Sequence, residues 1–277
     1  MEKANPSTQS HLRGWVVVWI LAGLFAVEAW AQGSSPINLP DAEAMRIGRK
    51  VWKNECGGSI SGLTSWNSGE NFASLGIGHF IWYPNGQRGP FEESFPKFLA
   101  FAKERRATIP GWLSEARACP WNSRAEFMRA ENSSQMKELR EFLAKTVDLQ
   151  AHFLVARLNG ALAKMLNEAA AADRENVEVQ FQRLANTPQG CYALVDYVNF
   201  KGEGVLATER YRNEGWGLLQ VLEQLHGSNA GHDAVRAFSQ AAATVLKRRV
   251  ENSPPERKES RWLPGWINRV SSYAANS

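Results

Sequence analysis

The chain changes character at Gly57-Gly58, and that break limits what can be built on either side of it. Upstream, Asp41 suits an N-cap, and Met45, Val51 and Trp52 form a partial apolar stripe, which predicts a first helix over 41–54. Glycine readily takes the backbone conformations that close helices, so Glu55 falls at or just past the last turn. Downstream, residues 59–87 are rich in glycine, serine, asparagine and aromatics and carry no sustained helical period. They read as a small β-hairpin lobe ending at the turn Pro84-Asn85-Gly86.

From Phe91 onward helical signals dominate. Pro96 suits an early position in a helix running through Arg106, and Ser133 caps one continuing toward Thr146. Leu149, Phe153, Ala156, Gly160 and Ala163 recur at helical spacing, as on the inward face of a central buried helix. Further helices are expected over 176–185, 189–200, 216–225 and 232–250, then a charged surface connection over 251–260 and a final aromatic and basic element over 261–273. The expected fold class is α+β and predominantly α-helical, with one small β-hairpin lobe.

Residues 1–31 read as a cleavable export signal. Lys3 and Arg13 supply a basic start, 14–27 a short apolar run, and Ala29-Trp30-Ala31 a small-x-small cleavage pattern with the cut after Ala31. The run is shorter than the roughly 20 residues a membrane span needs, so no permanent span is expected. Residues 32–40 then form a linker, and 41–277 a single domain with a helical C-terminal elaboration. The expected location is periplasmic or secreted. An oxidising compartment permits one disulfide among Cys56, Cys119 and Cys191, with no preferred pair. Their spacing fits no metal site, and no cofactor is expected. The formal net charge of +4 is too small to point to nucleic acid, and Gly76-Ile77-Gly78 lacks the third glycine and βαβ context of a nucleotide fingerprint.

Glu55 is the first candidate for chemistry. A glycosidic leaving oxygen needs a proton, and at neutral pH that proton comes from a carboxylic acid kept protonated by apolar surroundings. Trp52, Trp66, Phe80 and Trp82 are the expected surroundings. After Glu55 comes Ser68-Gly69-Glu70-Asn71-Phe72-Ala73-Ser74-Leu75-Gly76-Ile77-Gly78-His79. This arrangement resembles the lysozyme-like superfamily and, in motif, the phage-type lysozymes. Those enzymes place a glutamate at the end of their first helix, then a hairpin reading D-x-x-x-x-x-T-x-G-I-G-H.

The resemblance covers about 46–82. It implies a lysozyme-like domain, Glu55 as general acid and Ser74 at the threonine position. Ser68 stands where the family has its aspartate, so the second carboxylate is not carried over. Glu70 is a substitute on a shifted hairpin. Alternatively one carboxylate suffices, as in lytic transglycosylases, where the sugar's own substituent closes onto the anomeric carbon. His79, Trp66 and Trp82 complete the expected sugar-binding wall.

A second constellation runs from Tyr197 to Gln220. Gly202 and Gly204 flank Glu203, leaving its carboxylate uncovered and making it a second candidate catalytic carboxylate, acting as base or orienting water. Arg210, Tyr211 and Trp216 are candidates for binding and stacking on sugar rings, as the opposite wall of a groove. The expected partner is a polysaccharide, peptidoglycan or a similar amino-sugar polymer, cleaved by a muramidase or a lytic transglycosylase. A non-catalytic glycan-binding protein on the same scaffold, and a chitosanase- or glucanase-like hydrolase, are the alternatives.

Overall fold

The computed structural model describes residues 37–89 and 91–275. The expected export signal, its cleavage point and most of the linker lie outside them. Eleven α-helices and two small antiparallel sheets make up the described residues, a predominantly helical fold compatible with α+β. No helix among them is long and apolar enough to cross a membrane.

Helix α1 spans Asp41–Cys56 and stops because Gly57 sits in the left-handed region at φ 61°, its N–H turned back to the Trp52 carbonyl. Glu55 therefore lies inside the last turn, and Asp41 is the first helical residue rather than its cap. A 3₁₀ turn at Ser61–Leu63 leads into a three-stranded antiparallel sheet, β1 (Thr64–Ser65), β2 (Ala73–Leu75) and β3 (Phe80–Trp82), in the order β1-β2-β3. Leu75 pairs with Phe80, so Gly76-Ile77-Gly78-His79 is the β2–β3 turn.

Four helices follow the lobe: α2 (Phe95–Glu104), α3 (Gly111–Glu115), α4 (Arg124–Arg129) and α5 (Ser134–Lys145). Pro96 does occupy the first turn of α2, and the Ser133 hydroxyl caps α5 by accepting from Met136 N. The 22-residue α6 (Val147–Glu168) is the long central helix, with α1 packed along it. Its inward face matches the expected one only at Phe153, which is buried, and at Leu149, which packs partly buried against the core. Gln150, Ala151, Leu154, Leu158, Ala161 and Met165 are buried, whereas Ala156, Gly160 and Ala163 face solvent. Small residues suit either face, so the large apolar side chains decide, each contributing about 1.5–3 kcal/mol on burial.

The remainder is α7 (Arg174–Ala185), α8 (Pro188–Lys201), a hairpin of β4 (Arg210–Tyr211) and β5 (Glu214–Gly215), α9 (Leu218–Glu223), α10 (His232–Asn252) and α11 (Leu263–Ala275). Helices α10 and α11 pack together, and α8 lies against α1, α6 and α11. The connection before α11 is not all surface: the side chain of Glu259 is wholly buried. It accepts from Arg249 Nε at 2.8 Å and from Tyr211 OH at 2.8 Å. The three cysteines are free and buried, so the permitted disulfide does not form.

Candidate active site

The β2–β3 turn is docked, not loose. Gln150, fully buried on α6, accepts from Ile77 N at 2.8 Å and donates to the Leu143 carbonyl at 2.7 Å. Gly76 sits at φ 71°, and a Cβ there would strike the Gln150 amide. Cys56 closes the other side by donating to the Gly76 carbonyl at 3.7 Å. Burial first, and the Glu55 charge second, push its thiol up to about 12, so it stays a neutral donor. The turn and the end of α1 are thus one packed unit.

On that unit stand Glu55, with 13% of its side chain exposed, and His79, with 34% exposed. His79 Nδ1 lies 3.7 Å from Glu55 Oε2, beyond an ordinary hydrogen bond. The other oxygen, Oε1, accepts from Arg269 Nη2 of α11. The expected apolar surroundings are not what Glu55 receives. Trp66, Phe80 and Trp82 are buried in the core, and Glu55 has a guanidinium and an imidazole as close neighbours.

Arg269 is itself held by a carboxylate that the sequence reading missed. Asp196 of α8 is fully buried and accepts four hydrogen bonds. They come from Arg269 Nε at 2.8 Å, Arg269 Nη2 at 2.9 Å, Tyr273 OH at 2.6 Å and Asn54 Nδ2 at 3.1 Å. A carboxylate offers about four lone-pair sites, so Asp196 is saturated. Burial by itself would lower the Arg269 pKa, but the Asp196 hydrogen bonds and charge, with Glu55, hold it above its ordinary value. Burial and the Asp196 charge likewise hold the Tyr273 phenol well above its usual range. The guanidinium is a fixed cation at working pH. The one early signal was that Arg269 and Tyr273 fall on one face of an amphipathic closing helix.

The other candidate residues do not join this cluster. Glu70 lies in the β1–β2 loop, where its carboxylate accepts from Asn67 Nδ2 at 3.1 Å. Glu203 forms an ion pair with Lys164 of α6, whose Nζ is 3.0 Å from both oxygens. Among the described residues neither glutamate touches Glu55, Arg269 or Asp196. Trp66, Ser74, Trp82 and Trp216 are buried, so their side chains offer no ring face or free hydroxyl to a sugar. Tyr211 packs at 4.5 Å on Trp216 and donates to Glu259. Arg210 pairs with Glu168 at 2.7 Å. The expected opposite wall is therefore an internally bonded unit.

No family model, curated protein or solved structure matches this chain. The physical class rests on geometry alone: a largely sheltered carboxylate at a helix end, one oxygen held by a fixed guanidinium, the other beside a histidine. Such a pair can exchange a proton with a bound leaving group and stabilise the carboxylate that results.

Proposed function

We propose that the protein is an exported, lysozyme-like glycosidase acting on peptidoglycan or a related amino-sugar polymer, with Glu55 as its proton donor. The observation that carries this reading is the placement of Glu55: a carboxylate with 13% of its side chain exposed in the last turn of α1, its Oε2 3.7 Å from His79 of the Gly-Ile-Gly-His turn. Arg269 occupies Oε1, so Oε2 is the oxygen that can hand a proton to a glycosidic leaving group. Once the proton has left, the carboxylate remains hydrogen-bonded to the Arg269 guanidinium. His79 lines the approach to Oε2.

Asp196 cannot serve as nucleophile or base, because its lone pairs are taken by Asn54, Arg269 and Tyr273. We read the site as one that works with a single available carboxylate, the lytic transglycosylase form of the chemistry. Glu55 protonates the leaving oxygen, and the sugar's own hydroxyl closes onto the anomeric carbon. That hydroxyl gives its proton back to Glu55, leaving an anhydro end. The lysozyme-like fold and the export are part of the same proposal, supported by the helix-end glutamate, the Gly-Ile-Gly-His turn and the N-terminal pattern. A non-catalytic glycan-binding role is the second reading, favoured by the absence, among the described residues, of a second free carboxylate beside Glu55.

Mass spectrometry of soluble fragments from purified peptidoglycan tests both. Anhydro-ended fragments from the native protein, lost in Glu55→Gln, are expected. Reducing-end fragments would replace the transglycosylase reading by hydrolysis, and no fragments with retained binding would leave the non-catalytic one.

A further inference from the structure

A cleft of about 230 Å³ is lined by the 3₁₀ turn, β1 and the helices α4 and α5. Two arginines line it, and both are anchored to the lobe's backbone or hydroxyls. Arg124 donates through Nε to the Trp66 carbonyl at 2.9 Å, and among the described residues no carboxylate pairs with it. Arg140 donates through Nε to Thr64 Oγ1 at 2.8 Å and through Nη1 to the Glu131 carbonyl at 3.0 Å. The Glu131 carboxylate, half exposed, stands 3.8 Å from Arg140 Nη2. Two guanidiniums facing one carboxylate leave the cleft with a positive balance.

The cleft is mechanically continuous with Glu55. Its wall begins at Ser61, six residues on from Glu55. Ser59 Oγ ties the intervening chain by donating to the Cys56 carbonyl at 3.2 Å and accepting from Gly62 N at 3.1 Å. A Cβ on Gly62 would strike that same carbonyl. A group seated between the arginines is therefore held at a fixed offset from the Glu55 carboxyl.

We propose that this cleft is a docking subsite for a carboxylate carried on the glycan. Arg124 supplies the free fork and Arg140 the fixed charge beside it. Guanidinium groups match carboxylates bidentately, and β1, the sheet's edge strand, leaves the cleft open to an extended polymer. This rests on the proposed function only for the choice of polymer. The carboxylate can come from the sugar's own acidic substituent or from a peptide attached to it.

Binding is measured by calorimetry on the full chain carrying Glu55→Gln, with and without Arg124→Ala. Three ligands are used: peptide-bearing peptidoglycan strands, the same strands stripped of peptide but keeping their lactyl carboxylates, and neutral N-acetylglucosamine oligomers. Arg124→Ala is expected to weaken the acidic strands about tenfold, the scale of one charge-assisted hydrogen bond, and to leave neutral oligomers unchanged. Loss on both acidic ligands assigns the sugar's carboxylate; loss on the peptide-bearing strands alone assigns the peptide. Arg124→Lys, which keeps the charge, restores part of the affinity, and matching thermal melts exclude misfolding. Equal affinity of the two proteins for acidic strands overturns the proposal, as does no binding to any strand. In the latter case the fragment assay decides separately whether the glycosidase reading falls too.

Discussion

Two regions of this molecule pair a glutamate with glycines, and the structure uses them in opposite ways. At the end of α1, Gly57 and Gly58 have open space where a side chain would go; they turn the chain away and leave Glu55 part-exposed. Around Glu203, the glycines let backbone and side chains close in on the chain. A Cβ on Gly217 would collide with Gly204 N, one on Gly204 with the Gln220 amide, and one on Gly202 with the Glu209 carboxylate. Glu209 accepts from Gly204 N at 2.7 Å, and burial raises its pKa above the usual carboxylate range. One set of glycines uncovers a carboxylate, and the other packs a loop shut. Glycine beside an acid is not by itself a sign of chemistry.

The largest effect that would sharpen this contrast is on rate. Glu55→Gln is expected to lower fragment release about 10²–10⁴-fold, the usual contribution of a proton donor, with little change in thermal midpoint. Next in size, Asp196→Ala leaves Arg269 buried without its main partner, at a cost of about 3–5 kcal/mol in urea unfolding. A small loss there would mean that Arg269 finds water or Glu55 alone sufficient.

The glycine contrast has its own test. Gly217→Ala is expected to cost about 3 kcal/mol, because the collision is with backbone that cannot yield. Gly57→Ala costs about 1 kcal/mol, the strain of a left-handed alanine alone. Equal costs would break the distinction drawn between the two regions.

Lys201 offers a pH test on the Glu203 side. Its ammonium lies 3.2 Å from the Trp266 ring centroid, a geometry that suits a cation. Burial, with Arg249 adding, nonetheless pushes its pKa down to about 6. The native state then binds fewer protons than the unfolded chain between about pH 6 and the unfolded lysine value of about 10.4, so stability rises with pH across that window. Lys201→Met should stabilise most near pH 6 and below, and the gain should fade toward pH 10. A pH-independent gain would mean that the Trp266 face keeps the lysine charged. The smallest expected effect is that of Glu203→Gln. It breaks a partly exposed ion pair worth under about 1 kcal/mol and leaves turnover unchanged. A large loss of turnover would return Glu203 to the site.

Much of the fold was legible in the sequence, for local reasons. The Gly57-Gly58 stop, the Ser133 cap, Pro96 in a first turn and the irregular 59–87 lobe each depend on a few neighbouring residues. The face of α6 was not legible from Ala156, Gly160 and Ala163, because small residues do not say which side is wet. Glu259 sits in a stretch that reads as charged surface; only Arg249 and Tyr211, brought in from α10 and β4, make its burial tolerable.

The sequence by itself determined that Glu55 ends a helix and that a glycine turn carries His79 after it, since helix stops and tight turns are short-range steric facts. Only the tertiary structure decided what that glutamate faces. Arg269 lies 214 positions away and is fixed by Asp196, 73 positions from it. Their pairing is a property of how α1, α8 and α11 pack. A buried ion pair is tolerated only where its geometry is complete, and no local pattern in the chain encodes that completeness.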